Sequence, residues 1–140
     1  MRIIFCGDRN WSNVLFIYST MSLLQGCFQK FVVIEGEARG ADLISKNCAK
    51  QLGLEWKEYP ALWEKFGKAA GPIRNRQMVT EGRAQAVVAF HPAIQFSKGT
   101  KDMVEFAVSK ALPTIVLTGN ENLLTHKPLS DFIQQLERIV

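Results

Sequence analysis

Met1-Arg2-Ile3-Ile4-Phe5-Cys6-Gly7-Asp8-Arg9-Asn10-Trp11 opens the chain, and its pattern decides the fold class. The run Ile3–Cys6 is continuously apolar rather than alternating, as expected for a strand buried on both faces. A polar loop, Gly7–Trp11, follows directly. Ser12 is then the predicted N-cap of a helix carrying Val14, Leu15, Ile17, Tyr18, Met21 and Leu24, which ends near Gly26.

The same unit recurs along the chain. Phe31–Glu35 reads as a second strand, followed by a helix over Ala41–Leu52 that Gly53 stops. Glu55–Tyr59 is a shorter third strand, and 60–71 is irregular with one helical turn around Trp63. Pro72 opens a helix that runs to about Gly82. Ala86–Phe90 and Pro113–Leu117 are the fourth and fifth strands, followed by helices over about Thr100–Leu112 (after strand four) and Leu129–Ile139. Strands alternating with helices imply right-handed crossovers. The expectation is one α/β domain over residues 1–140, Rossmann-like and three-layered, with a mostly parallel five-stranded sheet.

Composition narrows the function classes. The chain has 140 residues, 47% hydrophobic and 21% charged, with a net charge of +4. Residues 1–70 hold nine Lys/Arg against seven Asp/Glu and residues 71–140 eight against six, so the surplus is even. An even surplus does not select nucleic acid but suits an anionic small molecule. Cys6, Cys27 and Cys48 show no metal-ligand spacing, so buried free thiols in a reducing, cytoplasmic setting are expected, with no structural metal. No apolar run approaches the roughly 20 residues of a membrane span, so no membrane partner is expected.

In an open parallel sheet, ligands bind beyond the carboxyl ends of the strands. Four polar loops are expected to converge there. Gly7, Asp8 and Arg9 offer close backbone approach, a hydroxyl partner and an anion partner. Glu35, Gly36, Arg39, Gly40 and Asp42 form a glycine-flanked turn suited to an anion nest. Gly71-Pro72-Ile73-Arg74-Asn75-Arg76 puts two arginines and an amide where a helix begins, adding to the positive end of its dipole. Gly99 and Thr100 open the next helix. His91 stands at the same edge, and Trp56, Trp63 and Phe66 are candidates for a stacking wall. Neither a GxGxxG fingerprint nor a P-loop is present, and the two histidines, His91 and His126, have no nucleophile beside them.

Read together, Gly7–Trp11, Glu35–Asp42, Gly67–Met78 and Gly99–Val104 resemble the YspA-type, YpsA-related branch of the SLOG superfamily. The resemblance covers residues 2 to about 117. It implies a Rossmann-like fold and a site for a nucleotide or nucleotide derivative at the strand ends. The superfamily also contains the Lonely Guy phosphoribohydrolases, the DNA-processing protein DprA and nucleotide-sensing domains. In the Lonely Guy enzymes an arginine before a helix works with a glutamate after a Gly-Gly-x-Gly-Thr loop. Arg74 matches the arginine and Gly99-Thr100 the loop. The glutamate falls at Met103, with Asp102 and Glu105 as its neighbours, and Ile94–Lys98 replaces the glycine pair.

The expected function is binding of a nucleotide-derived small molecule, as a sensor or sequestering module with possible turnover. A hydrolase cleaving an N-glycosidic or phosphoribosyl bond is the alternative, with Arg74, Asp102 and Glu105 as its catalytic candidates. Nucleic-acid binding of the DprA kind ranks last. No cofactor is predicted, and apolar helix faces could support a homodimer.

Overall fold

The computed structural model describes residues 1–140 and holds five strands: β1 Arg2–Gly7, β2 Val32–Glu35, β3 Glu55–Glu58, β4 Ala86–Phe90 and β5 Thr114–Leu117. All pair in parallel, in the order β3-β2-β1-β4-β5. Six α-helices connect and cover them: α1 Val14–Phe28, α2 Ala41–Gln51, α3 Trp63–Phe66, α4 Ala70–Thr80, α5 Gly99–Ser109 and α6 Lys127–Glu137.

The continuous apolar runs behave as their burial demands. Ile3, Phe5, Val33, Val88 and Phe90 face α1, α2 and α6, while Ile4, Ile34, Val87 and Ala89 face α4 and α5. Every residue of β4 is buried. The result is a three-layer domain whose strand order reverses between β1 and β4. That reversal opens a crevice at the carboxyl edge, because the chain leaves β1 and β4 toward opposite sides.

Helix starts differ from the sequence expectation in four places. Asn13, not Ser12, caps α1, its Oδ1 accepting the Phe16 N–H at 3.1 Å, and α1 runs through Gly26 to Phe28. α4 begins at Ala70, fed by a 3-10 turn over Gly67–Ala69, so Gly71 and Pro72 lie inside its first turn. Proline is tolerated anywhere in that turn, since those N–H groups have no intrahelical acceptor. α5 begins at Gly99, and the capping bond comes from Ser97, whose Oγ accepts the Thr100 N–H at 3.0 Å. α6 starts two residues earlier than its apolar spacing suggested, with Pro128 in its first turn. Cys6 and Cys48 are buried free thiols as expected, but Cys27, expected to be buried with them, is exposed, because it lies in the last turn of α1, beyond Leu24, the last buried residue of that helix. No helix is long and apolar enough to cross a membrane.

Candidate functional site

Backbone hydrogen bonds fix the loop after β1 both to the end of β4 and to the start of α2. Asp8 N–H donates to Phe90 O at 2.8 Å, and Asp8 O accepts from Ala41 N–H at 3.1 Å. Gly40 makes this possible: it sits at φ +77°, and a Cβ there would stand 2.6 Å from the carbonyl carbon of Arg9. Only glycine combines that conformation with that approach. Trp11 anchors the far end of the first loop, buried 5.6 Å from the Phe90 ring.

These loops, the start of α4, and the segment from β4 to α5 enclose a cavity of about 760 Å³. That is ample for a nucleotide-sized ligand. Five cations line it (Arg9, Arg39, Lys68, Arg74 and Lys98) against two carboxylates, Asp8 and Asp42. The convergence expected from sequence is therefore present, with Gly7, Asp8, Arg9, Arg39, Asp42, Arg74, Asn75, Gly99 and Thr100 all in the wall.

Arg74 is the centre of the floor. It is only 8% exposed, its Nη1 donates to Gly36 O, and its Nε donates to Asn75 Oδ1 at 3.3 Å. Its Nη2 has no protein acceptor. Gly36 exists as glycine for this contact: a Cβ would stand 2.6 Å from Arg74 Cζ and 2.9 Å from Asp42 Oδ2. Asn75 continues the network through Nδ2 to Gly99 O at 3.1 Å and to Asp102 Oδ2 at 3.0 Å, tying α4 to α5.

Asp42 is 4% exposed and accepts the Ala38 N–H at 3.2 Å. Burial pushes its carboxyl up to about 6, and the Arg74 charge opposes the rise without cancelling it. Burial also raises the neighbouring Cys6 thiol, with Asp42 adding to the effect, so this sulfur is held protonated and is no nucleophile. His91 Nδ1 accepts the Ala93 N–H at 3.0 Å, which leaves the Nε2 proton as its donor.

The rim is aromatic and cationic. Trp63 is 46% exposed, with the Arg9 guanidinium 5.3 Å from its ring centroid. Gly71 supports it from below, a Cβ at that position lying 3.3 Å from the indole edge. Of the three aromatic candidates only Trp63 lines the cavity; Trp56 and Phe66 lie elsewhere.

The structure separates other residues that the sequence had grouped. Arg74 and Arg76 are two apart on one helix and so point different ways. Arg76 lies outside the cavity, paired with Asp102 at 3.0 Å and stacked 4.7 Å over the Phe106 ring. Asp102 is committed to Arg76 and Asn75, and Glu105 is exposed on α5; neither lines the cavity. The Thr100 amide, a natural phosphate donor, is already bonded to Ser97. Gly36 and Gly40 act beneath the wall rather than in it. Glu35 is fully buried away from the cavity, and its burial, with the adjacent Glu37 carboxyl, pushes it up to about 9. The cavity also takes in Lys68 and Lys98, which the sequence does not single out: each lies in a glycine-bounded turn before a helix, a signal too common to mark a site.

Fold and cavity together define a Rossmann-like α/β domain with a cationic pocket at its topological switch point. A family model for the YspA, cpYpsA-related SLOG family matches residues 1–66. The Gene 61 protein of Mycobacterium phage D29 is 32% identical over 120 residues, covering 81% of this chain and 94% of that one. The chain belongs to the YspA, cpYpsA-related SLOG family. Among solved structures, DNA processing protein A (DprA) of Streptococcus pneumoniae superposes with a TM-score of 0.61 at 19% identity, over 99% of this chain and 56% of that one. The chain thus spans little more than half of that protein. DprA of Helicobacter pylori, whose structure concerns its mode of binding single-stranded DNA, gives a TM-score of 0.58 at 16% identity over 99% of this chain and 81% of its own. At these identities the likeness is one of fold.

Proposed function

We propose that the protein binds a phosphate-bearing nucleotide derivative in this cavity, as a sensor or sequestering module. One observation carries the reading: a buried arginine, oriented by Gly36 O and Asn75, keeps Nη2 unpaired in a cavity with five cations and two carboxylates. A guanidinium fixed by two protein acceptors, with a donor left free toward the cavity, is preorganised for an anion, and its planar fork matches phosphate. Lys98 and Lys68 extend the positive field, while Trp63 offers a face for a base. Nucleic acid is the weaker candidate, because the chain's surplus charge is small.

Hydrolysis of the bound ligand is a second reading, favoured by Asp42. Burial lifts its carboxyl to about 6, toward the range in which a carboxyl can hold a proton for a leaving base. In this form the acid is Asp42 rather than Asp102 or Glu105.

The test is a panel of nucleoside mono- and diphosphates, cyclic nucleotides and ADP-ribose, scored for thermal shift and for released base. A ligand at about 100 times its Kd adds about 2.7 kcal/mol of stability. A shift without released base, lost in Arg74→Ala, is the expected result. Base release that disappears in Asp42→Asn would move the conclusion to the hydrolase. No shift with any member would remove both.

A further inference from the structure

A second cluster of chemistry lies outside the cavity, on the α2 side of the sheet. Glu35 ends β2 and is in register with Glu58 on β3, so their side chains rise from neighbouring strands on one face. Glu37, two residues beyond the strand end, completes a triad. One carboxylate oxygen from each of the three lies within 4.8 Å of the other two. Oxygen ligands about a single calcium ion span a similar range, since metal–oxygen distances of about 2.4 Å place opposite ligands about 4.8 Å apart.

Exposed acidic groups cluster on many surfaces, and their proximity alone carries nothing. Glu35 adds an independent observation. It is fully buried, its Oε1 accepts the Glu37 N–H at 2.7 Å, and its Oε2 is also buried and has no hydrogen-bond partner. A buried carboxylate oxygen is rarely left so. The cluster already attracts one cation: Lys46 Nζ stands 2.9 Å from Glu37 and 3.3 Å from Glu58. No hydrogen bond joins Lys46 to Glu35, so the ammonium serves the two outer carboxylates and leaves the inner one.

We propose that Glu35, Glu37 and Glu58 form a site for one hard divalent cation of the calcium class. The all-oxygen donor set, without histidine or cysteine, selects against zinc and copper. Glu58 is half exposed and provides the entry side, and Lys46 swings out as the ion enters. The bound ion would tie β3 to the turn whose next residues, Ala38 and Arg39, line the cavity. It is independent of what the cavity holds. A proton shared between Glu35 and Glu37 is the competing way to complete Oε2.

The full chain, stripped with EDTA, is titrated calorimetrically with calcium, magnesium and manganese chlorides at constant ionic strength, and its melting is followed in parallel. The expected result is saturable 1:1 binding of at least one ion below roughly 5 mM, with a raised Tm. Glu58→Gln, at an exposed position, should weaken that binding about tenfold or more. Lys46→Met should strengthen it by removing the resident cation, whereas a purely structural ion-pair network would only lose stability. Absence of saturable binding by all three ions in folded protein overturns the proposal and leaves the shared proton. Binding that survives Glu58→Gln unchanged overturns it as well.

Discussion

Gly36→Ala tests the site through its least obvious component. Gly36 is outside the left-handed region, so alanine suits its backbone, and any effect must come from the added methyl. That methyl would lie 2.6 Å from Arg74 Cζ and 2.9 Å from Asp42 Oδ2. Both are side-chain ends that border the cavity, so they make room only by giving up their present geometry there. The guanidinium must therefore tilt away from Gly36 O, and the fork offered to an anion is lost. A charge-assisted contact of this kind is worth about 1.5–3 kcal/mol, which corresponds to a rise in Kd of about 10- to 150-fold. Because the methyl displaces only side-chain ends beside a cavity, stability itself should fall by no more than about 1 kcal/mol. Calorimetry with ADP, or with whichever panel member gives the largest thermal shift, reads the first quantity, and urea unfolding reads the second. Because the methyl acts through Arg74, Gly36→Ala combined with Arg74→Ala should bind no worse than Arg74→Ala alone. Wild-type affinity in Gly36→Ala, or additive losses in the double variant, would refute the assignment of Arg74 as the anion anchor.

Asp42 makes a signed pH prediction. Its carboxyl titrates near 6 in the folded protein against 3.8 ordinarily, so the folded chain keeps a proton that the unfolded chain has released. Its contribution to stability therefore falls as pH rises from about 4 to about 6 and is flat above; urea melts of Asp42→Asn should lack that part of the slope. Trp63→Ala should weaken a base-bearing ligand by about 1–3 kcal/mol and leave inorganic pyrophosphate untouched. Equal weakening of both ligands would argue against base stacking. Phe90→Ala removes a fully buried ring from the core and should cost about 3–5 kcal/mol, lowering Tm by roughly 10–20 °C in a calorimetric scan; a drop of only a few degrees would contradict the packing described.

Much of the fold was legible because burial on both faces leaves a mark in the chain. Ile3–Cys6 and Ala86–Phe90 are continuous apolar runs, and only a central parallel strand needs that pattern. The glycine-bearing loops were legible for a similar reason: Gly40 stands where no side chain fits. Helix starts were less so. Pro72 marks a first turn but not a first residue, and the capping of α5 by Ser97 depends on a hydroxyl rotamer that spacing does not specify.

The candidate site divides along the same line. By itself the sequence determined the three-layer α/β class, the edge where the polar loops meet, and the presence there of Arg9, Arg39, Asp42 and Arg74. Each of these follows from local pattern and from the rule that parallel strands deliver their loops to one edge. Only the tertiary structure decided which way each side chain points and what it meets. It turned Arg74 inward beneath Gly36 and sent Arg76 out to Asp102. It brought Trp63 over Gly71 and set Glu35 beside Glu58, 23 positions away in the chain, by strand register. Direction and register are set by packing between elements distant in sequence, and the local pattern contains no record of them.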